Sequence, residues 1–205
     1  MTAIAEHYLA AARVPETLQP CEEFPWEIER RDVTPEELPR TGWPRITLLR
    51  LTTLANIHRR PDVVMEDGRR ELSKHLPIWI HARGRVLVTG LGLGCVVRGL
   101  LANPRVERVD VVELEEWILE VVGPEFEDDP RVSLIHADAH RWRPAEAYDY
   151  AWHDLHDNEG VGDHVQLQHA RLLHRMKRHV RGAQGAWAFP RDMKPIARDA
   201  MGFIG

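Results

Sequence analysis

The chain has 205 residues, 43% of them apolar and 29% charged, enough for a substantial core and ordinary for a globular protein. Its net charge of −5 with neutral histidines argues against a general affinity for nucleic acid or an anionic membrane. No window is long and apolar enough to span a membrane, the N-terminus lacks a signal-peptide core, and two distant cysteines make no disulfide framework, so a cytoplasmic protein is expected.

Residues 2–13 predict a short helix with Ile4, Tyr8 and Leu9 on one side. Between 14 and 45 lie Pro15, Pro20, Pro25, Pro35, Pro39 and Pro44. That density stops helices and excludes central strands, so an irregular arm is expected, with a helical turn capped by Thr34. ITLLRLTTLANIH (46–58) and DVVMED (62–67) predict the two strands of a hairpin. EDGRRELSKHLPIWIHARG (66–84) predicts a helix with Leu72, His75, Leu76 and Trp79 at helical spacing, distorted at Pro77.

From residue 85 the pattern alternates. RVLVTG, VERVDVVELE, RVSLIHAD, YDYAWHD and GAWAFP read as strands, and CVVRGLLAN, EEWILEVVG and DHVQLQHARLLHRMKRHV read as helices between them. Alternation of this kind predicts a mostly parallel sheet with helices on both faces. Only fifteen residues follow GAWAFP, too few for a further helix, strand and antiparallel return strand, so a truncated sheet is expected, completed by strands from 46–66.

In such a sheet a ligand sits beyond the carboxyl ends of the strands, at the switch point. Gly90, Gly92 and Gly94 follow the first strand, where glycine lets the backbone turn tightly and approach a ligand. A dinucleotide loop would place its last glycine at Cys95 or Val97, so a pyrophosphate reader is disfavoured. Three acids, Glu113, Asp138 and Asp154, close three successive strands. Glu113 there can accept from both hydroxyls of a ribose, and Asp138 from an adenine amino group or from the following turn.

On these motifs, VLVTGLGLG, VDVVELE, IHADAHRW and YDYAWHD, the interval 84–190 resembles the class I S-adenosylmethionine-dependent methyltransferases, most of all their spermidine-synthase branch. The resemblance implies a Rossmann-like cofactor domain over 84–205 and an N-terminal helix, arm and hairpin-helix extension over 1–83. It also implies that Gly90, Gly92 and Gly94 approach the amino acid part of S-adenosylmethionine, that Glu113 holds the ribose, that Leu114 and Ala139 lie at the adenine, and that Asp138 contacts it. Asp154 would stand near the reacting centre. The Asp-Pro that follows the fourth-strand aspartate in spermidine synthases is replaced by Leu-His-Asp-Asn, which makes polyamine chemistry doubtful.

Eight histidines lie between 136 and 179. No His-Glu-x-x-His pattern occurs, and no metal is expected; a histidine beside Asp154 suits a proton acceptor better. The strand pleat turns His153 away from Asp154, which leaves His156 as the candidate with Asp154. His164, His169, His174 and His179 are expected on the solvated face of one helix. The leading expectation is a methyltransferase acting on a small-molecule acceptor, with no nucleic-acid or membrane partner. The alternatives are aminopropyl transfer and a non-catalytic cofactor-binding protein. The arm, with Trp26 and Trp43 exposed, would serve a partner surface such as a second copy of the chain.

Overall fold

A computed structural model describes residues 2–52, 58, 61–155 and 163–195. The chain opens with α1 (Ala3–Ala11), where Thr2 Oγ1 accepts from the Ala5 amide as an N-cap. Ala5, Tyr8, Leu9 and Ala12 make the buried stripe at spacings of three and four; Ile4, expected on that side, is exposed.

The proline-rich arm contains two strands. β1 (Cys21–Glu23) pairs antiparallel with β2 (Trp26–Asp32), whose other edge pairs with β3 (Arg45–Leu51) from Trp26 opposite Leu51 to Asp32 opposite Arg45. β2 is therefore a central strand, which corrects the expectation drawn from proline density. Pro25 and Pro35 bracket a run free of proline, and within it buried Trp26 and Ile28 alternate with Glu27 and Glu29. β4 (Asp62–Glu66) pairs with β3 as the expected hairpin partner, giving a sheet in the order β1-β2-β3-β4. The turn after Thr34 leads into α2 (Leu38–Thr41).

The expected helix over 66–84 comes in pieces: α3 (Arg69–Leu72), a 3-10 turn (Ser73–His75) and α4 (Leu76–His81). Pro77 lies in the first turn of α4, where a missing N–H breaks no intrahelical bond.

The second sheet is built from β5 (Gly84–Thr89), β6 (Val106–Glu113), β7 (Val132–His136), β8 (Tyr148–His153), β9 (Val180–Ala186) and β10 (Phe189–Pro195), in the order β10-β9-β8-β5-β6-β7. The first five are parallel and β10 is antiparallel. α5 (Cys95–Leu101), α6 (Glu116–Val122) and α7 (Asp163–Met176) fall between the strands, as expected for a Rossmann-like fold. The C-terminal part departs from expectation. GAWAFP spans the end of β9, the turn and the start of β10 rather than forming one strand. The antiparallel strand follows directly as a hairpin with no helix before it, and β3 and β4 belong to the other sheet. β9 reads VRGAQGA, with two glycines and one β-branched residue, so its propensity signal is weak.

The pleat of β5 divides the core. Val86 and Val88 join a cluster that includes Leu9, Trp26, Leu49, Trp79, Val111 and Trp152, so both sheets share one apolar interior. Leu87 faces the other way, toward Val112, Ala151, Leu172 and Met176 under α7. The strand order reverses at β5, with β6 on one side and β8 on the other, and the crevice at its carboxyl end is where the candidate site lies. Among the described residues no helix is long and apolar enough to cross a membrane.

Candidate functional site

The loop after β5 needs its glycines. Gly90, Gly92 and Gly94 have φ of 92°, 51° and 77°, all left-handed. At Gly90 there is also no room: a Cβ would stand 2.0 Å from the carbonyl oxygen of Asp154. The Gly90 amide donates to the Val112 carbonyl at 2.9 Å and the Asp154 amide to the Thr89 carbonyl at 2.8 Å, so the ends of β5, β6 and β8 are laced together there.

Glu113 closes β6 and is 6% exposed. Its Oε2 accepts from the Leu91 amide at 2.6 Å, and its Oε1 from the amides of Leu114 at 2.7 Å and Glu115 at 2.9 Å. Burial raises its pKa, and these amides together with that of Gly92 oppose the rise. Asp138 follows β7. Its Oδ1 accepts from the His140 amide at 2.8 Å and its carbonyl from Arg141 and Trp142, so it caps the turn that carries Ala139.

Asp154 follows β8, with its side chain 8% exposed. Burial pushes its pKa up to about 8; Glu71 and Glu113 act in the same sense and Lys74 against them. Its Oδ2 lies 3.8 Å from Nε2 of His75, a fully buried histidine whose pKa burial pushes down to about 3.

These groups surround one cavity of about 640 Å³. Gly90, Gly92, Glu113, Leu114, Asp138, Ala139 and Asp154 all line it. Gly94 does not: it opens α5 in a left-handed turn, packed against Arg98 and Phe126. His156 lies outside the described residues. Leu114 stands at the mouth, 57% exposed, and Val112, Ile118 and Trp26 add apolar wall.

The opposite wall comes from the N-terminal part and the C-terminal hairpin. Glu71 accepts from Trp187 Nε1 and pairs with Lys74 at 2.9 Å, and Lys74 Nζ sits 4.0 Å over the Trp187 ring. Arg40 pairs with Glu66 on the same wall. The sequence pattern pointed to none of these residues. A faint signal existed in His75, a polar side chain at an apolar position of the predicted stripe.

The other histidines sort by burial. His153 is fully buried and does not line the cavity; it bonds Thr89 Oγ1 at 3.0 Å and Gln184 Oε1 at 3.4 Å, with its pKa driven down to about 3 by burial. His169, expected on a solvated face, is buried, and its Nε2 accepts from the Leu155 amide at 3.0 Å. His174 is exposed as expected; His179 lies past the end of α7. Trp26 and Trp43 are not free surface. Trp26 is buried by the alternation of β2 and donates to Glu115, and Arg13 covers the Trp43 ring at 4.5 Å. Among the described residues, no group of three or more His, Cys, Asp or Glu side chains is arranged to hold a metal.

No family model matches the chain. A polyamine aminopropyltransferase of Streptococcus pneumoniae serotype 4 is 35% identical over 79 residues, 35% of this chain and 28% of that protein. Polyamine aminopropyltransferase 2 of Ralstonia nicotianae is 34% identical over 120 residues, 51% of this chain and 23% of that protein. In sequence, the chain is similar to polyamine aminopropyltransferases. It spans about a quarter of the length of these two curated relatives. Among solved structures, the N-methyltransferase NodS from Bradyrhizobium japonicum, in complex with S-adenosyl-L-homocysteine, matches with a TM-score of 0.43 and 16% identity, over 56% of this chain and 57% of that one.

Proposed function

We propose that the protein is an S-adenosylmethionine-dependent methyltransferase for a small acceptor. The observation that carries the reading is the cavity at the switch point of the parallel sheet, with Glu113, Asp138 and Asp154 on its lining and a left-handed glycine loop at its floor. The residues present fit the cofactor. Val112, Leu114, Ile118 and Ala139 offer an apolar wall for adenine, and the Asp138 turn lies beside it. A carboxylate has roughly four acceptor positions, and Glu113 already spends three on loop amides, so ribose hydroxyls must share or displace them.

When bound, the cofactor supplies a methyl group already activated by its sulfonium. The protein's part is to position the acceptor, exclude water and receive a proton. Asp154 can receive it only once it has given up its own proton. Its neutral form is favoured by burial, and it loses its proton more readily once a cation stands beside it. His156 remains a proposed second acceptor from the sequence pattern.

Aminopropyl transfer is the second reading, supported by the curated relatives. A polyamine needs unpaired carboxylates, and two of those lining the cavity, Glu66 and Glu71, are already paired with Arg40 and Lys74. That supports an acceptor of low positive charge, and with it the methyl-transfer reading. Calorimetry with S-adenosylmethionine, its demethylated product and its decarboxylated form decides. Tight binding of the first two supports the proposal; preference for the decarboxylated form supports the alternative; no binding by a folded protein rejects both.

A further inference from the structure

Three buried polar atoms without a hydrogen-bond partner among the described residues meet at one place: both ring nitrogens of His75 and Oδ2 of Asp154. His75 ends the 3-10 turn, fully buried, with its ring against Trp79 and Trp152 at centroid distances of 5.4 and 5.7 Å. The two side chains face each other across 3.8 Å, about 1 Å beyond a normal hydrogen bond. A buried carboxylate there would have no donor within hydrogen-bond distance of Oδ2 among the described residues. A protonated carboxyl, in contrast, is a donor, and a neutral imidazole has one nitrogen that accepts.

We propose that His75 is a positioning residue for Asp154: the two hold a single proton, which resides on the carboxyl, with neutral His75 Nε2 as its acceptor. Closing the 3.8 Å gap into a hydrogen bond would fix Oδ2 toward the core while Asp154 still lines the cavity. The charged neighbours agree with this placement. Glu71 and Glu113 disfavour a carboxylate at 154, while Lys74 favours it and disfavours an imidazolium at 75. The Cys95 thiol also feels Asp154, and burial pushes its pKa to about 12, so it stays neutral. Because the proton belongs to the pair, the two groups titrate together rather than as independent sites. The use made of that proton rests on the transferase reading; the pair itself requires no ligand.

The test is an NMR titration of the free 205-residue chain, with the Asp carboxyl carbons and His ring nitrogens labelled. The pair predicts a neutral His75 at pH 7 and an Asp154 midpoint far above the ordinary carboxylate range. In His75→Phe, which keeps the apolar surroundings but offers no acceptor, the proton affinity of Asp154 falls about tenfold or more; His75→Gln, which offers one, restores most of it. An imidazolium at position 75 at pH 7, an Asp154 midpoint in the ordinary range, or equal midpoints in the wild type and the Phe variant overturns the proposal. If His75→Phe does not fold, the wild-type titration alone decides. Loss of cofactor binding with this titration intact would reject the transferase reading and leave the pair standing.

Discussion

Glu113 and Asp154 stand at the ends of the two strands that flank β5, line the same cavity and are almost equally buried, yet the protein satisfies them in opposite ways. Around Glu113 the chain turns so that backbone amides of residues 91, 114 and 115 converge on the carboxylate. Around Asp154 no donor among the described residues converges on Oδ2, and the imidazole that stands 3.8 Å away is held neutral by burial. Amides that converge on a carboxylate favour its charge and bind the loop to the strand end; burial without donors favours the proton. The first acid is therefore part of the scaffold of the glycine loop as well as of the cavity. The second is an acid whose neutral form burial favours.

The comparison breaks most completely at Gly90, where the two strand ends touch. Gly90→Ala places a methyl group 2.0 Å from the Asp154 carbonyl oxygen at a φ of 92°. Overpacking costs roughly 1–3 kcal/mol and the left-handed backbone ~1 more. For a chain of this size each kcal/mol lowers Tm by about 2–4 °C. A melting temperature within a degree of wild type would mean that the strand ends are not locked together.

Next in size is Glu113→Ala. It leaves three loop amides without their acceptor at the cavity wall, where entering water recovers most of the loss, so the net cost is roughly 1–3 kcal/mol. Cofactor binding is expected to disappear with it. Glu113→Gln separates the two roles, since its single carbonyl oxygen satisfies some amides while its NH₂ faces another. A Gln variant that melts like wild type but no longer binds in calorimetry assigns the carboxylate to the ligand; unchanged affinity in both variants rejects the ribose assignment.

The contrast between the two acids was only half legible in the sequence. That acids close three successive strands after a left-handed loop follows from apolar runs ending in Glu113, Asp138 and Asp154, because continuous buried strands announce their ends. That β2 is a central strand was hidden by the prolines around it, which break structure only where they stand. β9 was hidden by glycines and by an apolar run, GAWAFP, that turned out to be a hairpin turn. What distinguishes Asp154 from Glu113 was not visible at all. His75, Glu71 and Lys74 lie some eighty residues earlier in the chain, and only the packing of α3 and the 3-10 turn onto the strand ends brings them beside it.

Asp154→Asn has an effect on stability that depends on pH. An acid whose folded pKa is raised, here to about 8 from an ordinary value of about 3.9, withdraws stability as pH climbs between those values, because the unfolded state ionises first. Asparagine does not ionise. The Asn variant should therefore gain on wild type in denaturant midpoint from about pH 4 to pH 8 and hold a constant advantage above that. Curves that stay parallel across the whole range would mean that Asp154 titrates alike in the folded and unfolded chain and that burial does not hold its proton.

The finest distinction is at Lys74. Its ammonium is about 30% exposed and paired with Glu71, so Lys74→Met should change stability by no more than about 1 kcal/mol. Its electrostatic effect is one-sided. Lys74 lowers the pKa of Asp154, while the influences on Glu113 are burial and backbone amides. Removing it also frees Glu71, which raises Asp154 further. The Asp154 midpoint should therefore move up in the Met variant while the Glu113 carboxyl resonance titrates as in wild type. Equal movement of both acids would mean that they share one electrostatic environment, and that the backbone amides at Glu113 do not insulate it.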